Sequence, residues 1–334
     1  MTIKISRAQL LKLIEKYGTS SPQVAKYFIV DEALAKPFSP GVRVNDDLVD
    51  IPAATVAGVV GGIAAQNALL LNFANDIARE DRRRRYAKRK KDNPGEMRIV
   101  SEGDSWTQYP ILLDDLVDVL MKKYNIRSLD AAGDTLDHMT TQGEYYWAIR
   151  DEQPRFFLIS AGGNDIIGDG TGAKSLATHL KPFFAGATAE TLLLPSYDEV
   201  IIKGLEAKYL GVISNALNIG PAVMQVIVHG YDHAVPGTGN DWITRNMKAR
   251  NIADLDLQWS IVKLLINKFN AMLSALPARY LGKVIYADLR GSVAPLEATM
   301  AVAGPKWTDE LHPKNPGFAS AASRIDALIT ANLP

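Results

Sequence analysis

The sequence contains no cysteine, which excludes disulfide staples, thiolate metal sites and a cysteine nucleophile while leaving the redox compartment open. It has no excess of either charge: 37 Lys and Arg face 37 Asp and Glu, so no global field draws the chain to nucleic acid or an anionic membrane, and any such partner must be met by a local patch. Internal repeats and extended low-complexity tracts are absent. The opening MTIKISRAQLLKLIEKYG carries Glu15 and Lys16 inside its apolar pattern. It therefore lacks the uninterrupted apolar stretch and small-residue cleavage site of a secretory signal, and residence in the cytoplasm, or export by a route that reads no such signal, is expected. What is present is an ordinary globular composition, 47% hydrophobic and 22% charged over 334 residues, enough for one large α/β domain with an appendage.

The first 95 residues predict a mainly helical region of unknown role. Leu10, Leu11, Leu13 and Ile14 recur at helical spacing after Ser6, a candidate N-cap, and Pro22 opens a second short segment. From Ile51 to Phe73 the chain is rich in Ala, Gly and Val, with Gly58, Gly61 and Gly62 allowing close helix contact. Gln66, Asn67 and Asn72 interrupt that run, which favours a buried or self-associating helix over a membrane span. Between Arg79 and Lys91 lies a dense cationic stretch containing Arg82, Arg83, Arg84 and Arg85. It is either a solvated helix end leading into a linker or a patch that meets phosphate or an anionic lipid surface. Asn93-Pro94-Gly95 is a turn signal and marks the domain boundary.

Beyond the turn the pattern changes. Met97 to Ser101, Ile126 to Ala131, Phe156 to Ser160, Val223 to His229 and Lys283 to Ala287 are short apolar runs rich in Val, Ile or Phe, as suits strands covered on both faces. Helical patterns at Ile111 to Tyr124, Glu199 to Leu217 and Leu255 to Leu276 separate them. Such alternation predicts a right-handed, parallel, five-stranded sheet in three α/β/α layers, with ligands meeting the C-terminal ends of the strands. Residues 166 to 198, with several Gly and Pro, form an insertion over those ends.

Four stretches at that rim carry chemistry. After the first strand, Gly103-Asp104-Ser105-Trp106 precedes a predicted helix; Ser105 is there either a helix cap or a nucleophile. After the second, Gly133 can bring a backbone N–H to a ligand with no side chain in the way. After the third, Gly162-Gly163-Asn164-Asp165 offers the Asn164 amide as a donor. Near the C-terminus Asp309 and His312 stand three residues apart, where a carboxylate can hold an imidazole in the tautomer that accepts a serine proton. Asp104 and Asp165 suit loop scaffolding better than proton transfer, and Glu310 is expected in solvent.

Taken together, the GDS of Gly103 to Ser105, Gly133, the GxND of Gly162 to Asp165 and the DxxH of Asp309 to His312 resemble, in order, the blocks of the SGNH (GDSL-like) hydrolases. The resemblance covers residues 96 to 334 and implies a flavodoxin-like three-layer fold and a cofactor-free serine esterase or lipase mechanism. It further implies Ser105 as nucleophile, His312 as general base oriented by Asp309, and an oxyanion hole from the Ser105 and Gly133 N–H groups and the Asn164 amide. The substrate would be a small-molecule, lipid or glycan ester. Two departures stand out: Trp106 replaces the Leu of the family name, and the second block lacks the Asn often found before its glycine. An acyltransferase on the same fold, or a silent module binding an acylated ligand or a membrane surface, are the competing readings.

Other signals are weaker. Gly168 to Ser175, GDGTGAKS, lacks the final glycine of a P-loop and begins several residues beyond its strand. His229 and His233 are four apart but lack the glutamate and helix of a zinc protease. His138 and His179 show no carboxylate partner in the sequence. Tyr231, Trp307 and Trp106 can line an acyl or alcohol pocket or simply pack.

Overall fold

A computed structural model of the chain describes residues 4–31, 41–51, 62–168, 175–238 and 242–333. Gly58, Gly61 and the core of the GDGTGAKS stretch lie outside the described residues. The N-terminal region begins as the sequence predicts. The Ser6 hydroxyl accepts from the Gln9 N–H while the Gln9 side chain accepts from the Ser6 N–H, a capping box that starts the helix Arg7–Tyr17. Leu10, Leu11 and Ile14 form its buried face. Two strands not foreseen, β1 (Phe28–Val30) and β2 (Val42–Val44), pair antiparallel. The last part of the Ala/Gly-rich stretch, from Gly62, and the arginine-rich stretch join in one 31-residue helix, Gly62–Asp92. Its Phe73, Ala74, Ile77 and Ala78 pack with Leu10, Ile14, Val24, Phe28, Val42 and Val44, and with Tyr109 and Ile111 from beyond the expected boundary. No described helix is long and apolar enough to cross a membrane.

The main sheet has five parallel strands: β3 (Arg98–Gly103), β4 (Asn125–Ser128), β5 (Phe156–Ser160), β6 (Gln225–His229) and β7 (Val284–Ala287), in the order β4-β3-β5-β6-β7. This is the flavodoxin-like order, flanked on both faces by helices. Every residue of β5 is buried, Phe156, Phe157, Leu158 and Ile159 each at 1% exposure or less, as a central strand under two helical layers requires. Register aligns Gly103 with Ser160 and Ser160 with His229. The loops after β3, β5 and β6 therefore leave the sheet side by side, and strand order reverses between the first two.

The arginine run is only partly at the surface. Arg82 is 2% exposed. Its guanidinium meets Asp115, Asp118 (3.0 Å) and, at 3.9 Å, Asp130, and donates to the Thr107 carbonyl just past Ser105. Arg85 pairs with Asp81 at 2.8 Å and with Asp118, Arg84 with Glu80, Arg89 with Glu96 and Lys90 with Glu152. Burial pushes the Asp118 carboxyl up, but the charges of Arg82 and Arg85 outweigh it and hold Asp118 below the ordinary carboxylate range. An anionic contact through Arg82 to Arg85 would therefore fall mainly to Arg83 and Arg84, which are exposed, while Arg82, Arg84 and Arg85 all meet the protein's own acidic residues.

Three smaller expectations also change. The helix expected over Ile111 to Tyr124 spans only Leu116–Leu120, because the Asp115 carboxylate caps it through the Val117 and Asp118 N–H groups and Ile111 and Leu112 take left-handed φ of 63° and 76°. Ser105 is not at a helix N-terminus. Residues 104 to 107 form a turn closed by the Thr107 and Gln108 N–H groups on the Asp104 carbonyl. The helix over Glu199 to Leu217 runs as Lys203–Ile219, preceded by a wider turn at Tyr197–Ile202.

Candidate active site

The geometry begins with Gly103, the last residue of β3. A Cβ there would lie 2.2 Å from Thr107 Oγ1 and 2.8 Å from Ser160 Cβ, so the tight turn that presents Ser105 needs a glycine. The Asp104 carboxylate fixes that turn: Oδ1 accepts from the Trp106 N–H at 3.0 Å, and the Tyr231 hydroxyl donates to Oδ2 at 2.6 Å. Burial pushes the Asp104 carboxyl up to about 7, against the opposing pull of those two donors. The scaffold role expected for Asp104 has a geometric basis.

Across the site, Trp307 and Pro313 bridge the two ends of a short loop, and the Thr308 N–H donates to the His312 carbonyl at 2.7 Å. Inside that loop Asp309 Oδ1 accepts from the Leu311 and His312 N–H groups at 2.8 and 2.9 Å. The same carboxylate lies 2.9 and 2.8 Å from His312 Nδ1, so Nδ1 carries a proton directed at Asp309 and Nε2 is left as an acceptor. Ser105 Oγ stands 2.7 Å from that Nε2. The serine, histidine and aspartate named from sequence are thus joined by hydrogen bonds across 207 residues of chain. The Trp106 indole N–H donates to the Leu311 carbonyl at 2.9 Å, tying the serine turn to the histidine loop. This is what the unusual Trp106 does, together with edge-on packing against Tyr231 and Phe318.

On the other side of β3, Gly133 has φ of +88°, a left-handed conformation that suits glycine. Asn164 sits in the first turn of the helix Gly163–Ile167, and its Nδ2 donates to the Asp134 carbonyl at 2.6 Å, next to Gly133. Nδ2 has a second N–H. The Tyr231 hydroxyl also accepts from the Gly163 N–H at 3.0 Å, so one phenol braces both the loop of Ser105 and that of Asn164. Asp165 accepts from the Leu136 N–H at 3.0 Å, again as a scaffold. Ser105 and His312 are both 0% exposed, and Tyr109 and Trp242 set ring edges against the imidazole, centroids 5.1 and 5.9 Å away.

Glu310 contradicts its expected place in solvent. It is 0% exposed and accepts from the Gly237 N–H at 2.7 Å, the Ile243 N–H at 2.6 Å and the Thr244 N–H and hydroxyl. It thus anchors the Asp309–His312 loop to the segment carrying Trp242. Nothing in sequence marks it, since its partners lie 66 to 73 residues away. His138 is also corrected: its Nδ1 pairs with Asp134 Oδ1 at 2.6 Å, four residues back on the chain. His179 bonds the Ser196 hydroxyl. His229 is buried with Nδ1 on the Gly230 carbonyl, and burial lowers its pKa to about 4, whereas His233 lies against Asn267; the two do not form a metal pair. Among the described residues no group of three or more His, Cys, Asp or Glu could hold a metal ion.

No family model and no curated protein matches the sequence. Solved structures similar to this chain include a protein described as a GDSL-like lipase from Parabacteroides merdae (15% identity, TM-score 0.42, covering 69% of this chain and 93% of that one). Others are an aryl esterase from M. smegmatis (13%, 0.39, 71% and 100%) and the periplasmic domain of a lipopolysaccharide acetyltransferase from Salmonella ser. Paratyphi A (12%, 0.42, 73% and 88%). At these scores the likenesses assign this chain neither a family nor an activity.

Proposed function

We propose that this chain is a serine hydrolase that cleaves carboxylic esters through an acyl-enzyme on Ser105. The observation that carries the reading is the 2.7 Å contact of Ser105 Oγ with an imidazole whose other nitrogen is held by Asp309 at 2.8 Å. In this reading His312 takes the serine proton as Oγ attacks the carbonyl carbon, and the charge that develops on the ring is met by the Asp309 carboxylate. His312 then delivers the proton to the departing alkoxide, and a water activated by the same nitrogen releases the acid. The Ser105 and Gly133 N–H groups and the second N–H of Asn164 would meet the oxyanion.

Transfer of the acyl group to an alcohol would use the same relay, with the alcohol in place of the water at His312. Turnover of p-nitrophenyl acetate with and without added alcohols separates the two by product analysis. Free acetate as the main product supports the hydrolase; ester products at low alcohol concentration support the transferase. No p-nitrophenol release above a Ser105→Ala control contradicts both.

A further inference from the structure

Beside the proposed site lies a cavity whose wall is almost wholly apolar. Three of its lining residues are the direct chain neighbours of groups assigned chemistry above: Trp106 follows Ser105, Gly163 precedes Asn164 and Leu311 precedes His312. Adjacent Cα atoms are about 3.8 Å apart, so the cavity reaches within one residue of nucleophile, base and oxyanion donor at once. Its far wall is aliphatic, formed by Ile166 together with Val262 and Leu265 of the helix Leu255–Ala275. Val262 and Leu265 are each 3% exposed, so this wall belongs to the packed core and is not a surface groove.

We propose that this cavity receives the acyl chain of the ester and restricts it to a short, unbranched aliphatic chain. The inference rests on the Ser105 reading above and names its substrate class. Two arguments assign the cavity to the acyl side. The alcohol must leave during turnover, whereas the acyl group stays covalently on Ser105 between the two half-reactions, so the enclosed side of the site suits the acyl group. The two polar residues of the lining, Tyr231 and Asp232, direct their oxygens to Asp104 and Gly163 and to Gly291 and Val293, so the wall offers little to offset the desolvation of charged or hydroxylated chains. Size sets the length. The cavity volume is about 30 Å³, roughly twice what one buried water needs, which leaves room for two or three methylenes beyond the carbonyl. Each methylene accommodated should raise kcat/KM about fourfold, and the first that does not fit should reverse the trend.

The test is a chain-length profile with p-nitrophenyl esters from acetate to dodecanoate, run on the full chain, on Val262→Phe and on Leu265→Ala, with fluorophosphonate labelling of Ser105 in parallel. The wild type should peak near butyrate and lose at least tenfold by octanoate. Val262→Phe should move the peak to acetate, and Leu265→Ala should move it to longer chains; a shift in either variant alone supports the assignment if the other fails to fold. A flat profile, a peak at octanoate or beyond, or variants that scale all esters equally would overturn the pocket while labelling upholds Ser105. Loss of both labelling and turnover would overturn the Ser105 reading and the pocket with it.

Discussion

Two buried polar clusters lie on either side of one turn, and they use burial in opposite ways. Around Arg82 opposite charges are brought into contact: the guanidinium meets Asp115, Asp118 and Asp130 and the Thr107 carbonyl, with Arg85 also on Asp118. Around Ser105 the relay is unbalanced, a neutral hydroxyl and an imidazole with a single carboxylate behind them. Paired charges in low dielectric fix geometry, since removing one leaves the others without compensation. A hydroxyl held against a histidine acceptor is poised to give up its proton. The two clusters meet at the turn of residues 104 to 107, so the N-terminal helix braces from behind the residue that the histidine loop addresses from in front.

That contrast can be broken on either side. The largest effect is expected from His312→Ala, which should lower kcat by about 10⁶-fold, the scale at which removing one member of such a relay disables it, while the unfolding midpoint stays near wild type. Arg82→Ala should do the reverse in kind. It takes the guanidinium away from three buried carboxylates, of which Asp118 keeps its ion pair with Arg85, and should cost about 3–5 kcal/mol of stability, read as a lowered urea midpoint; unchanged stability would show that the cluster is not the brace described. Asn164→Ala should lower kcat by about 10²–10³-fold, the usual cost of one oxyanion donor, with a smaller change in KM.

A pH experiment sharpens the comparison further. Burial raises the Asp104 carboxyl from 3.8 to about 7, so across that interval the folded protein holds a proton that the unfolded chain has released. Stability must then fall as pH rises from about 4 to 7, by about 1.4 kcal/mol per pH unit from this group. Asp104→Asn keeps an acceptor for the Trp106 N–H and should flatten that slope, measured as urea midpoints between pH 4.5 and 6.5; an identical slope in the variant would contradict the assignment. The smallest effect is expected from Arg83→Ala. Arg83 is exposed and, among the described residues, bonds the carbonyl of Arg79, one turn back, so the change should stay within about 0.5 kcal/mol.

The same contrast explains what was legible in the sequence. The strands could be read because doubly covered strands must be short apolar runs; Phe156 to Ser160 falls where expected, and the others differ by one to three residues at their ends. Ser105, Asp309 and His312 could be read because their spacing is set by tight turns that need particular residues, such as Gly103 and the self-capping Asp309. Arg82 could not: a run of arginines looks alike in water and in the interior until its partners are known, and Asp115, Asp118 and Asp130 arrive from 33 or more residues away. Glu310 was missed for the same reason, and the helix expected from Ile111 was shortened by a cap, Asp115, that also serves Arg82.

The central claim, that Ser105 is a nucleophile activated by His312, is tested most directly by intact-mass analysis after treatment with a fluorophosphonate, followed by peptide mapping. The account predicts one phosphonyl adduct on Ser105, absent in Ser105→Ala and strongly slowed in His312→Ala. A folded wild-type protein that takes up no adduct, or one modified at another residue, would contradict it.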